Sequence, residues 1–306
     1  MPLRPSLRAA VLAAALAAAA SGCGIGSDPL AAGADREEGG AIVVGSANFL
    51  DSRLIAHIYV EALRERGLEV EERFDIASRE AYVPGLRDGS IDVIPEYSGA
   101  LLQYCDPETE AAADREVLAE LESALPDGLA ALEASEAQSK DVLVVTVETA
   151  EEYDLEKVSD LVPHAGGLDL GGPPEWKTRH NGVAGLRDVY GLEFGEFTAL
   201  DAGGPLSLNA VVNGQVDVVD LFTTDPALEE RDLVMLDDDK GLFLAENILP
   251  LVREDAVDAE ARAALDAVSA ELTTEDVRDM LHRITGDREN PALVAREWLE
   301  ERGLAG

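Results

Sequence analysis

Two stretches of this chain repeat one pattern 125 residues apart, and the repeat limits what the rest can be. The first runs Leu86-Arg87-Asp88-Gly89-Ser90-Ile91-Asp92-Val93-Ile94-Pro95-Glu96-Tyr97-Ser98; the second runs Val211-Val212-Asn213-Gly214-Gln215-Val216-Asp217-Val218-Val219-Asp220-Leu221-Phe222-Thr223. Each closes an apolar helical pattern at a glycine, the residue that adopts the left-handed helix stop without steric cost. Each continues into a short β-branched strand and ends on an aromatic followed by a hydroxyl. In open α/β sheets ligands sit beyond the carboxyl ends of strands. Tyr97-Ser98 and Phe222-Thr223 therefore read as matching lips of two similar lobes with a cleft between them. Two ordinary helix-turn-strand units sharing common residue types are the alternative, but similarity at a fixed offset signals duplicated architecture.

The 306 residues suffice for two domains, and 46% apolar content provides for a packed core. The N-terminus reads as a targeting segment. Arg4 and Arg8 precede an apolar run over residues 9–20, which has the length of a signal-peptide core and is short for a bilayer span. It ends in Ala20-Ser21-Gly22-Cys23, which resembles a bacterial lipoprotein cleavage site, with Ala20 where leucine is usual. The expectation is a signal peptide over 1–22, a lipid on Cys23 and a tether over 23–40; a plain secretory cut near Ala20 is the alternative. Cys105 is then the one thiol left without an intrachain partner, and no histidine is placed to activate it.

Asp and Glu total 62 against 24 Lys and Arg, a formal charge of −38. Loss of residues 1–22, which carry Arg4 and Arg8 and no acid, takes it to −40. Such a surface repels nucleic-acid phosphates and anionic headgroups, so DNA or RNA is disfavoured as a partner. One reading is a chain suited to high salt, where self-repulsion is screened; a melting temperature that fails to rise with added salt counts against it.

From residue 41 the pattern alternates strand and helix. Ile42-Val43-Val44-Gly45 is a buried-type strand, and Ile55, Ile58, Tyr59, Ala62 and Leu63 share a helical face that Gly67 ends. Val70, Phe74 and Ile76 alternate with acids as a strand, and Ser78 stands at the cap of a helix carrying Tyr82, Val83 and Leu86. An acidic, Ala-rich helical stretch covers 114–125, with another around Leu129. Two continuous apolar runs, Val142-Leu143-Val144-Val145 and Ile248-Leu249-Pro250-Leu251-Val252, read as the crossing segments between lobes. That divides the chain into lobe 1, residues 41–145 and 246–306, and lobe 2, residues 146–245. Between the runs lie Gly166-Gly167, Gly171-Gly172, Pro173-Pro174, a helix over 183–190 and a strand over 197–200. Helical patterns follow over 259–272, 274–284 and 291–302, the last burying Val294, Trp298 and Leu299.

Several of these segments together resemble the osmoprotectant-type substrate-binding proteins of ABC importers, the binders of glycine betaine, carnitine and choline. They are Val44-Gly45-Ser46-Ala47-Asn48-Phe49, Ile91-Asp92-Val93-Ile94-Pro95-Glu96-Tyr97-Ser98-Gly99, Gly182-Val183-Ala184-Gly185-Leu186, Asp201-Ala202-Gly203-Gly204-Pro205, Val216-Asp217-Val218-Val219-Asp220-Leu221-Phe222-Thr223-Thr224-Asp225 and Asn290-Pro291 with Val294-Ala295. The resemblance runs in order through residues 41–304. It implies an α/β, two-lobed periplasmic-binding-protein fold of the type II kind with two crossing segments. It also implies capture of a small quaternary ammonium or zwitterion, delivery to an ABC permease and its ATPase, and an extracytoplasmic location at the membrane through a lipid anchor.

Family members often hold the ammonium in a cage of tyrosines, and this chain departs from that pattern. Ser98 and Ala100 stand where the family has threonines, and Ala47, Leu50 and Ser52 replace polar residues. Gln138-Ser139-Lys140-Asp141 lacks a ring, and no tyrosine follows Gly204-Pro205. The cage expected here is thinner: Tyr97, Phe222 and Phe49, with Asp141 pairing a cation in place of a missing ring. Thr223, Asn48 and Ser98 are the further candidate contacts, and Arg179, in a Gly/Pro-rich loop before a helix, is placed to meet a ligand carboxylate. Asp225-Pro226 reads as a helix cap. His57, His164, His180 and His282 show no metal-ligand spacing, and no phosphate loop or nucleophile elbow occurs. No cofactor or metal is expected, and no catalysis; the alternatives are another amine or amino acid as solute, a sensory receptor, or a hydrolase or lyase on the same scaffold.

Overall fold

The computed structural model describes residues 40–111 and 113–306. The expected signal peptide, Cys23 and the tether up to residue 39 lie outside the described residues. Ten strands follow in chain order: β1 (Ile42–Gly45), β2 (Val70–Arg73), β3 (Val93–Tyr97), β4 (Leu129–Ala131), β5 (Asp141–Thr146), β6 (Leu170–Gly172), β7 (Phe197–Ala199), β8 (Val218–Phe222), β9 (Leu233–Met235) and β10 (Ile248–Arg253). They form two five-stranded sheets of identical plan, β2-β1-β3-β10-β4 and β7-β6-β8-β5-β9. In each, three strands run parallel and the fourth is antiparallel to both its neighbours. The antiparallel strand in each sheet is the one that has just arrived from the other lobe: β5 follows β4, and β10 follows β9. This is the α/β, two-lobed fold expected from the sequence.

The repeated stretches occupy equivalent positions. Helix α1 (Leu50–Glu65) follows β1. Helix α2 (Arg79–Asp88) stops at Gly89 with φ +80°, and the chain enters β3. In the second lobe the helix Pro205–Val212 is followed by Gly214 at φ +64° and then β8. Tyr97 is the last residue of β3 and Phe222 the last of β8.

Each sheet is covered on both faces. In lobe 1, α1 and the C-terminal helices Ala259–Glu271, Thr274–Thr285 and Pro291–Glu301 pack Leu54, Ile58, Leu265, Val277 and Trp298 on one side. Leu86, Ile94, Leu101 and Leu121 fill the other. In lobe 2 the two layers centre on Leu143, Trp176 and Leu186, and on Val144, Val211 and Leu221.

The lobe boundaries differ from the expectation. The run Val142–Val145 is not a crossing segment but the body of β5 inside the second sheet, paired with β8 and β9. Likewise 248–252 is β10, central in the first sheet. The chain crosses just ahead of each, where Gln138 and Asn247 form an antiparallel bridge. There Ser139 N–H donates to Glu246 O at 3.1 Å and Ile248 N–H to Ala137 O at 2.9 Å. An apolar run marks burial on both faces, and a central strand satisfies that as well as a crossing would. The segment around Leu129 is strand β4 rather than helix, because its backbone completes the edge of β10.

Gly99 shows how tightly the crossing is packed. A Cβ there would lie 2.6 Å from Leu244 Cβ and 2.7 Å from Ala245 O, so the residue after Ser98 is held to glycine by the second crossing segment.

Candidate functional site

A cleft of about 60 Å³ lies between the lobes at the carboxyl ends of β3 and β8. Water needs about 10–15 Å³ by this measure, so the space suits a molecule of few heavy atoms. Phe49, Tyr97 and Phe222 form its aromatic wall. Phe49 stands between the two lips, its ring centroid 5.7 Å from that of Tyr97 and 5.2 Å from that of Phe222, each tilted 41°. Gly203, at φ +60°, lies flat against Phe222; a Cβ there would come within 2.5 Å of the ring. A larger cavity, about 380 Å³, opens behind Phe49 and Phe222 towards Pro205 and Arg231.

Of the residues singled out in the sequence, Tyr97, Phe222, Phe49, Asn48, Asp141 and Arg179 all line the cleft. Ser98 and Thr223 do not. Both stand just past the strand ends, Ser98 as the first residue of the helix Ser98–Cys105 and Thr223 in a turn, and their hydroxyls meet the crossing segments. Ser98 Oγ donates to Ala245 O at 2.9 Å and accepts from Asn247 N–H at 3.0 Å. Thr223 Oγ1 accepts the N–H of Lys140 at 3.0 Å. Both set the register of the hinge. Arg179 is in the cleft but already engaged: Nε donates to Glu80 Oε1 at 3.1 Å and Nη2 to Glu80 Oε2 at 2.8 Å, across the two lobes. Asp225 accepts the N–H of Ala227 at 2.8 Å, the capping role expected of it.

Behind the aromatic wall the hinge is tied by one buried carboxyl. Asp51 accepts from Tyr97 Oη at 2.9 Å, Ser139 Oγ at 2.7 Å and Thr224 Oγ1 at 2.9 Å. The Asp51 carboxyl thus joins lobe 1, the first crossing segment and lobe 2. Burial pushes it above the usual carboxylate range, against these three hydrogen bonds.

The lining of the cleft also includes groups the sequence reading missed: Arg79, Tyr82, Trp176, Asn181, Asp220 and Glu246. Glu96, one residue before Tyr97, points to the other face of β3. There it takes Arg79 Nε at 2.8 Å, Arg79 Nη2 at 2.7 Å and Tyr82 Oη at 2.9 Å. The pair is fully desolvated, and a buried pair of this kind is strongly destabilising to break. Asp141 sits opposite Phe222 in the β5–β8 ladder and Asp220 opposite Leu143, so the two acids are diagonal neighbours on one face. Asn181 donates its amide to Asp141 Oδ2 at 2.6 Å. Burial pushes the Asp141 carboxyl up; burial, and then the Asp141 charge, push Asp220 well up. Glu246 accepts Gly99 N–H at 3.0 Å, and burial holds it at about 8. A signal for Asp220, and for Glu96 behind Arg79, is present in the sequence: both are acids inside strands that are otherwise apolar, and such acids are buried only with a purpose.

Cys105, partly buried at the end of its helix, has its thiol pushed up by burial to about 11, which leaves it unreactive at neutral pH. Among the described residues no helix is long and apolar enough to cross a membrane.

Comparison with known proteins gives one consistent picture. A family model described as the substrate binding domain of ABC-type glycine betaine transport system matches residues 40–301. The chain is 27% identical over 281 residues to a glycine-betaine-binding protein of Pseudomonas aeruginosa, covering 85% of this chain and 88% of that one. It is 22% identical over 273 residues to the carnitine transport binding protein OpuCC of Listeria monocytogenes, covering 85% and 86%. A solved structure of a glycine betaine/carnitine/choline ABC transporter superposes with a TM-score of 0.67 at 21% identity, covering 86% of this chain and 99% of that one.

Proposed function

The chain belongs to the family of substrate binding domains of ABC-type glycine betaine transport systems, and from that premise we propose that it captures a small organic cation between its lobes. The observation that carries this reading is the cleft itself. Tyr97 and Phe222, equivalent strand-end residues of the two lobes, meet around Phe49. Aromatic faces attract a methylated ammonium by about 0.5–2 kcal/mol per contact, more when water is excluded. Asp141, cross-strand neighbour of Phe222, adds attraction of the same sign. The supporting expectation from the relatives is a quaternary ammonium of the glycine betaine, choline and carnitine class.

In this reading the protein performs no chemistry. The closed form, with Arg179 clamped on Glu80, is the shape presented to an ABC permease and its ATPase. Its place is outside the cytoplasmic membrane, held by a lipid on Cys23. Cys23→Ala releasing the protein from the membrane fraction tests the anchor; continued membrane retention contradicts it. The ligand is tested by mass spectrometry of small molecules that copurify with the protein, followed by calorimetric titration of the same compounds. Recovery of a methylated ammonium that binds again after removal is expected. A recovered ligand with no cationic nitrogen overturns the reading.

A further inference from the structure

The charges around the cleft are unequal in a way that bears on which cation fits. Two arginines line it, and each commits its Nε and Nη2 to a single glutamate. Arg79 forks onto Glu96 at 2.8 and 2.7 Å, and Arg179 onto Glu80 at 3.1 and 2.8 Å. Their charge is matched before any ligand arrives. Among the described residues, the acids lining the same cleft form no ion pair of their own. Asp141 is met by the neutral amide of Asn181 at 2.6 Å, and Glu246 by the backbone N–H of Gly99 at 3.0 Å. Asp220 is 1% exposed, and its Oδ1 is buried with no hydrogen-bond partner in the protein. A buried acceptor left unmade costs about 1–3 kcal/mol, more if charged. Among the described residues, no three His, Cys, Asp or Glu side chains converge closely enough to hold a metal ion. An O–H or N–H donor on an organic ligand would give that oxygen its partner.

We propose that Asp141 and Asp220 make this cleft selective for a small net cation that carries an O–H or N–H donor, and select against zwitterions that carry a carboxylate. This rests on the reading of the cleft as an organic-cation site and narrows it. The methylated nitrogen lies on Phe49, Tyr97 and Phe222. The donor at the other end of the molecule reaches the Asp141–Asp220 pair on the β5–β8 face. A carboxylate in that place would meet the charge of Asp141, with two arginines already shared with glutamates. A trimethylammonium group alone has no polar hydrogen to satisfy Asp220.

Three probes that share a methylated ammonium separate these cases by calorimetry at pH 7.5: choline, a cation with a hydroxyl; tetramethylammonium, a cation with no donor; and glycine betaine, the carboxylate zwitterion. The expected order is choline tightest, tetramethylammonium at least tenfold weaker, and glycine betaine weaker than choline by at least tenfold. In Asp220→Asn and Asp141→Asn, which keep side-chain shape, choline should lose at least tenfold while tetramethylammonium changes less than threefold. The wild-type order tests the proposal even if a variant fails to fold. Glycine betaine binding as well as or better than choline overturns the proposal and leaves the organic-cation reading intact. Equal binding of choline and tetramethylammonium overturns the donor requirement with the same consequence. Binding of none of the three removes the quaternary-ammonium reading, and this narrowing falls with it.

Discussion

Arg179 of the second lobe forks onto Glu80 of the first, with both contacts between 2.8 and 3.1 Å. Among the described residues two further charge pairs join the lobes, Arg278 with Glu229 at 3.1 Å and His282 with Glu230 at 2.5 Å, but of the three only Arg179 lines the cleft. Burial works to raise the Glu80 carboxyl, but the Arg179 guanidinium and the Ser78 hydroxyl outweigh it and hold it at about 2. Glu80 is nearly half exposed, so solvent screening keeps the pair's worth within about 1 kcal/mol. Arg179→Ala should therefore shift the balance towards open lobes and weaken ligand binding by about two- to fivefold without lowering the melting temperature of the ligand-free protein. Small-angle scattering with and without ligand checks it. An unchanged affinity would show that the pair does not contribute to closure.

The aromatic wall gives separable predictions for its two lips. Phe222 makes no hydrogen bond through its side chain, so Phe222→Ala removes ring contact alone and should weaken a methylated ammonium by about 2- to 30-fold, the equivalent of 0.5–2 kcal/mol. Tyr97 has a second task, since its hydroxyl donates to Asp51 at 2.9 Å. Tyr97→Phe keeps the ring and should leave affinity within about threefold, while costing about 1–2 kcal/mol of stability at the hinge. Calorimetry and denaturant melts of the two variants check the division. The opposite assignment, stability lost in Phe222→Ala and affinity lost in Tyr97→Phe, contradicts it.

The buried acids set a pH dependence whose sign is fixed. A carboxyl that the fold holds at about 8, as Glu246 is, stabilises the fold while protonated. That stability is complete below its unfolded value of about 4.3 and is lost as pH rises through about 8. Asp51, Asp141 and Asp220 are shifted in the same direction, and Asp141, Asp220, Glu246, Arg79, Arg179 and Glu175 are the charged groups that face the cleft. Glu80, held down at about 2, loses its contribution only below its unfolded value and does not oppose this trend above it. The melting temperature of the ligand-free protein should fall between pH 5 and pH 8.5, and affinity for an organic cation should rise over the same span. Calorimetric scans at four or five pH values check both; a melting temperature that climbs with pH is the contrary result.

The hinge tolerates no side chain at Gly99. Gly99→Ala places a methyl 2.6 Å from Leu244 Cβ and 2.7 Å from Ala245 O, both on the second crossing segment, whose backbone oxygen cannot yield cheaply. A loss of about 1–3 kcal/mol in unfolding free energy is expected, read as a lower denaturant midpoint at unchanged slope. Full stability in the variant would mean that the two crossing segments separate more easily than their packing indicates.

The two lips, the equivalence of the lobes and most strands were legible in the sequence because each rests on a short local pattern: a left-handed glycine stop, a β-branched run, an aromatic at the strand end. The crossings were misplaced because apolar runs such as Val142–Val145 report burial on two faces, not which sheet does the burying. Adjacency to Tyr97 and Phe222 points Ser98 and Thr223 at the cleft, but the chain leaves each strand at that residue and both hydroxyls bond the crossing segments instead. Arg179 was read for its charge, yet its partner, Glu80, lies 99 residues away on the other lobe. Glu246 and Arg79 carry no local signal at all; only the folded arrangement of the crossing segments brings them to the same cleft.

The central claim is that a small cation is held where the tips of β3 and β8 meet. The most direct measurement is a crystal structure of the protein with its bound ligand. The account predicts a methylated nitrogen against the rings of Phe49, Tyr97 and Phe222, in the cleft that Asp141 and Asp220 also line. Ligand density in the larger cavity behind Phe49 and Phe222, with the cleft holding water alone, would contradict it.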